Sequence, residues 1–169
     1  MSSLRMEVVD EKTVRLTGIV PLMADCLQRI GDILAQRDTP AVRRRLIPKP
    51  SADETINAEW EKFVTPDLRH LFVIAAETVL QDLTALEADP QHPKCFCVAF
   101  PAVHLAAWMS AINQARLILG EQFHVTEQGM ARRDLDPHCA FDIALVRIHL
   151  LGWLLEVLVE FGGGTEPVE

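Results

Sequence analysis

The chain has 169 residues, 49% of them hydrophobic and 24% charged, with a formal net charge of -8. That length and balance predict one globular domain with a buried core and exclude a disordered or fibrous chain. The acidic excess, with a pI near 5.2, excludes broad nucleic-acid binding, which needs a concentrated basic surface.

In chain order, residues 5–17 alternate weakly: Met6 and Val8 are followed, across Asp10, Glu11 and Lys12, by Val14 and Leu16. This predicts two short strands or an extended arm over residues 1–17. The charges of Met1 to Lys12 interrupt any apolar run that a secretory leader would need, so a cytoplasmic protein is expected. From Gly18 to Gln36, Ile19, Leu22, Met23, Cys26, Leu27, Ile30, Ile33 and Leu34 keep the helical period and predict a first helix. Pro40, Pro48 and Pro50 then bracket a connector that carries the basic run Arg43, Arg44 and Arg45. Such a run is most simply a solvated connector, and otherwise a hold for an acidic partner or a phosphate.

Ser51 with Glu54 has the spacing of a capping box and opens a short helix with Ile56, Trp60, Phe63 and Val64 on one side. Thr65, Pro66 and Asp67 start the next, which runs to about Leu86. Asp89 to Lys94 is a Pro-bearing loop; a helix follows from Pro101 to Leu119, closed by Gly120, and Thr126 to Pro137 is a long surface loop. The last helix, Phe141 to Phe161, is apolar on nearly every side and is expected to be central, packed by the others. Asp142, Arg147, His149 and Glu156 make it too polar to span a membrane. Gly162, Gly163 and Gly164 open a loose tail over residues 162–169. The pattern predicts an all-α, single-domain bundle of about five helices over residues 1–169, with a short N-terminal β-hairpin or arm.

At WMSAINQARLILG, residues 108–120, the spacing of Trp108, Asn113, Arg116 and Gly120 resembles a family of small bacterial proteins catalogued as domain of unknown function 2017. RLIPKPSADE, residues 45–54, and GWLLEVL, residues 152–158, fall in that family's order and separations. The likeness extends from residue 15 onward and departs at the Cys- and His-bearing residues 90–97. It implies an α-helical domain with no established activity, often encoded in actinobacteria near an adaptor of the Clp protease.

Among candidate sites, Asn113 and Arg116 are three residues apart and share one turn of helix. One reading lays the Arg116 stem over the core edge with its head on a carboxylate such as Glu156; the other presents Asn113 and Arg116 to a ligand or a partner's carboxylate. Asp142, His149 and Glu156 recur at heptad spacing on one stripe, most simply a strip facing water, and at about 10 Å per step they are too far apart to share one metal ion. His92, Cys95 and Cys97, with His138 and Cys139, are zinc-ligand types without the paired knuckles of a structural zinc site, and no cofactor or metal is expected. The four cysteines read as reduced thiols. No phosphate-cradling loop, dinucleotide fingerprint or Ser-centred elbow occurs.

The sequence therefore predicts a non-enzymatic interaction or regulatory protein acting through Trp108, Asn113, Arg116, His149 and Glu156. Its expected partner is a protein, with a link to a Clp-protease adaptor system; self-association into a homo-oligomer is also expected, and neither nucleic acid nor membrane is. The alternative is a small-molecule-binding or metal-dependent enzyme with a site between helices, built on Asn113, Arg116, His149 and Glu156.

Overall fold

The alternation of residues 5–17 becomes a hairpin in which β1 (Arg5–Val8) pairs antiparallel with β2 (Thr13–Ile19), Met6 opposite Leu16 and Val8 opposite Val14. The computed structural model describes residues 3–164. Two further strands, β3 (Glu87–Ala88) and β4 (Phe96–Pro101), complete a four-stranded antiparallel sheet of order β1-β2-β4-β3. β2 changes register between Leu16 and Ile19, at Gly18 with φ 71°. That left-handed conformation is open to glycine and strained for a residue with a Cβ.

The chain is mostly helical, as its periodicity predicts, but it is not all-α. The correction lies at Phe96–Pro101, where Phe, Val and Phe form a six-residue run. So short an apolar run has no period that separates a buried strand from the start of a helix, and pairing with β2 decides it.

The helices also depart from the predicted five. The first divides into α1 (Pro21–Gln28) and α2 (Ile30–Leu34) at Arg29, then tightens into a 3-10 turn at Ala35–Asp38. The apolar spacing is unchanged across Arg29, so the sequence carries no sign of the break. The expected connector contains α3 (Pro40–Leu46). Pro40 suits the first helical turn, and Arg43, Arg44 and Arg45 fill the last turn, where the helix dipole favours cations.

In α4 (Glu54–Phe63) the cap is Asp53, whose carboxylate accepts the Thr55 amide at 2.8 Å; Ser51 Oγ accepts the Asp53 amide instead. α5 (Thr65–Asp82) follows, extended by a 3-10 turn at Leu83–Ala85. A second such turn, Ala102–His104, leads into α6 (Leu105–Gln122), which runs through Gly120. The left-handed closing position falls on His124, with φ 50°. The expected surface loop holds one turn, α7 (Glu127–Met130), capped by Thr126. α8 (Ala140–Gly163) extends past Phe161 through Gly162 and Gly163, while the rest of the expected tail, residues 165–169, lies outside the described residues, as do residues 1 and 2 of the arm.

The central helix is α6 rather than α8: it packs against α8, α5, α3 and α2. Its Trp108 is fully buried and stacks on Phe100 of β4, ring centroids 4.6 Å apart. α8 flanks it, burying Leu145, Ile148, Leu151, Leu154 and Leu158 and exposing Trp153 and Val159. None of the described helices is long and apolar enough to cross a membrane.

Candidate functional site

α6 commits Ala111, Ile112, Ala115, Ile118 and Leu119 to the core, which leaves Arg116 half-buried at the margin facing α8. Its guanidinium lies against Gly152, where an added Cβ would meet Nε and Nη2 at 3.4 Å each. Glycine in the middle of a helix costs about 1 kcal/mol relative to alanine. Here it leaves room for a planar cation to rest on the neighbouring helix. Arg116 Nε is buried and has no hydrogen-bond partner. Among the described residues Arg116 forms no ion pair, so the pairing expected with Glu156 is not made.

Two adjoining cavities meet at this arginine. One, of about 390 Å³, is lined by Arg45, Arg116, Leu117, Gly120, Glu121, Val125, Met130 and Ile148. The other, also about 390 Å³, shares Arg116, Met130 and Ile148 and adds His149, Gly152, Trp153 and Glu156. Together they form a trough that brings the cations Arg45 and Arg116 and the acids Glu121 and Glu156 together with apolar Leu117, Val125, Met130 and Ile148 and with Trp153, 41% exposed.

Three of the five residues expected at the site, Arg116, His149 and Glu156, therefore meet. Trp108 does not line the trough; it lies in the core and supports α6 from behind. Asn113 is exposed and lines neither cavity. Arg45, Glu121 and Trp153 join the site without having been selected. The signals for two of them were present: Arg45 belongs to the basic run, and Gly152 marks a close approach beside Trp153.

The stripe expected to face water does so at His149 and Glu156, both exposed, but not at Asp142, which is buried. Asp142 is held by Arg132, with Nη1 3.0 Å from Oδ1 and Nη2 donating to Oδ2 at 3.4 Å, and by the Asp136 amide at 2.9 Å. The segment before α8 folds over its first turn and covers that carboxylate.

A second polar centre lies at the junction of α5 and α6. Buried Asp82 accepts a hydrogen bond from Trp108 Nε1 at 2.9 Å, and its two oxygens lie 3.0 and 3.1 Å from His104 Nδ1. A carboxylate behind an imidazole is the orienting half of a general-base pair. No Ser, Thr or Cys among the described residues is hydrogen-bonded to His104, and the arrangement ties the start of α6 to the end of α5.

The Cys- and His-bearing loop is the β3–β4 turn. Asp89 accepts the Gln91 amide at 2.9 Å and faces His92 Nδ1 at 3.0 Å. Burial pushes the Asp89 carboxyl up, but hydrogen bonds from Gln91, His92 and Gly18 outweigh it and hold the group below the ordinary aspartate value. Among the described residues, no three His, Cys, Asp or Glu side chains are grouped so as to hold a metal ion.

The sequence profile described as Domain of unknown function (DUF2017) matches residues 7–161. The chain belongs to that family. No curated protein and no solved structure matches it. The DUF2017 match takes in every residue of the trough, from Arg45 to Glu156.

Proposed function

We propose that this DUF2017 protein is a non-enzymatic interaction module, and that the trough across Arg116 receives an acidic, amphipathic segment of a protein partner. The observation that carries the reading is the buried Arg116 Nε, which has no acceptor. A buried donor on a charged group left unpaired costs about 1–3 kcal/mol or more, and an incoming carboxylate removes that cost. Arg45 supplies a second cation, while Leu117, Val125, Met130 and Ile148 offer apolar surface to a helix or turn carrying the acid. The neighbourhood that the family resemblance implies makes an adaptor of the Clp protease the first partner to test, in the cytoplasm where we propose that both meet.

The experiment is capture from lysate of the source organism, wild type against Arg116→Ala, followed by ¹⁹F NMR of 5-fluorotryptophan-labelled protein with the captured partner. Supporting results are a partner lost by the variant and a shifted Trp153 resonance with Trp108 unmoved. A partner that binds both forms equally would refute the assignment of the surface. Turnover of a small molecule that depends on Arg116, His149 and Glu156 would favour the enzyme alternative. Self-association belongs to the same reading, because Phe63, Leu71 and Ile74 remain exposed on α4 and α5. Sedimentation velocity of Leu71→Ser against wild type tests it, and a monomer in both cases would end it.

A further inference from the structure

We infer that a second cavity, separate from the trough and formed between α3 and α5, is a binding site for a small phosphate monoester with an apolar body. The cavity is a recess of about 250 Å³, open to solvent, lined by Arg37, Arg43, Arg69 and His70 over an apolar floor that includes Leu46 and Phe72. Three elements contribute these cations: the 3-10 turn after α2, the last turn of the adjoining α3, and α5, which comes after α4 in the chain.

The helix dipole explains the cations at Arg37 and Arg43, each in the last turn of its helical element, but not the one at Arg69. Pairing within the fold accounts for two of the three, and only at long range. Asp38 is the only acid in the lining, and it sits 3.6 Å from Arg43, beyond hydrogen-bonding distance; Arg69 reaches Glu61 only at 3.9 Å; Arg37 forms no ion pair among the described residues. A chain with eight excess negative charges thus gathers three guanidinium groups around one small space, with one carboxylate in its lining and a second, Glu61, beside Arg69. Like charges gathered beside apolar surface repel one another, and their combined field draws an anion to the recess. Guanidinium forks match the oxygens of a phosphate, and three of them suit a dianion better than a monoanion. The apolar floor accounts for the body of the ligand. The volume, below the roughly 300–1,000 Å³ of drug-sized sites, keeps that body to about a single ring or short chain.

The test uses the full chain and three probes at matched ionic strength: phenyl phosphate, inorganic phosphate and benzoate, each titrated by calorimetry. Phenyl phosphate is expected to bind at least about 10-fold more tightly than either of the others, which corresponds to about 1.4 kcal/mol. Arg37→Gln and Arg69→Gln should each weaken it about 10-fold or more, while Arg116→Ala leaves it unchanged and so separates this site from the trough. The thermal midpoint of each variant, measured without probe, shows that it is folded. Benzoate binding as tightly as phenyl phosphate would overturn the phosphate assignment. Equal heats from wild type and from Arg37→Gln, or an effect reproduced by sodium chloride at the same ionic strength, would overturn the site.

Discussion

Removing the Asp82 carboxylate should be among the most damaging single changes at a polar residue. In Asp82→Ala the Trp108 indole N–H, fully buried, loses its acceptor at 2.9 Å, and the gap opens into the core beneath α6. An unpaired buried donor costs about 1–3 kcal/mol, and a hydrogen bond to a charged acceptor contributes about 1.5–3 kcal/mol. Relief of the carboxylate's own desolvation offsets part of this. The expected net loss is about 2–4 kcal/mol, or about 5–12 °C in thermal midpoint for a domain of this size. His104 shares the same carboxylate, but its side chain is 34% exposed, so water takes the place of the imidazole on Asp82 once His104 is gone and His104→Ala should cost about 1 kcal/mol or less. Urea unfolding of both variants and of Trp108→Phe measures the values, and the Asp82–Trp108 double-mutant cycle should give a coupling of at least about 1 kcal/mol. If Asp82→Ala cost no more than His104→Ala, the buried N–H would not be what the carboxylate secures.

Gly152→Ala should be tolerated, because its Cβ would meet the Arg116 guanidinium at 3.4 Å, ordinary contact, while the helix gains about 0.5–1 kcal/mol; Gly152→Val should displace the guanidinium and abolish partner binding, and melting together with partner capture separates the two effects. Arg132→Ala leaves the buried Asp142 with the Asp136 amide but without its cation, which should cost about 1–3 kcal/mol and speed tryptic cleavage at Arg133. Burial pushes the Cys26 thiol up to about 11, with Asp25 adding to the rise and Arg147 opposing it. Between the ordinary 9.0 and that value the unfolded chain releases the proton and the folded chain keeps it, so stability must fall with rising pH across this window. Urea midpoints at pH 8, 9 and 10 should show the decline, and Cys26→Ala should flatten it; a decline of equal slope in the variant would assign it to other groups. In the native protein, iodoacetamide should modify Cys95 and Cys139, both partly exposed, well before Cys26 and Cys97, which are buried, as peptide mass mapping would show.

What the sequence made legible follows from how local each signal is. The helical faces of α5, α6 and α8 repeat over 18 residues or more, long enough for periodicity to identify them, and the β1–β2 hairpin is a contact between near neighbours. β4 is six residues long, and its partner β2 lies some eighty residues earlier, so its state is fixed by pairing rather than by its own composition. The break at Arg29 leaves the apolar spacing unchanged, and the shift of the cap from Ser51 to Asp53 is a choice between two nearby residues that both suit a cap. The site divides in the same way. Arg116, His149 and Glu156 were recognisable as polar residues on apolar helices, whereas the inward position of Trp108 and the arrival of Arg45 from α3 depend on contacts that no spacing records. The pairing of Asp82 with His104 and Trp108 spans 22 and 26 residues and has no local signature.

The sheet order has one further consequence. Because Val14 faces Phe100 across the β2–β4 pairing, everything from α1 to β3 is a single excursion closed by those two strands. A ribosome making the chain releases the first hairpin early, and the hairpin must wait, with the β2 edge unpaired, until residues 96–101 emerge. Closing a loop of that length before its contacts form is entropically slow. An exposed hydrogen-bonding edge during that interval is a template for wrong strands. The interval before Phe96 clears the exit tunnel is therefore when this protein is most exposed to aggregation, and when a chaperone has most reason to hold it.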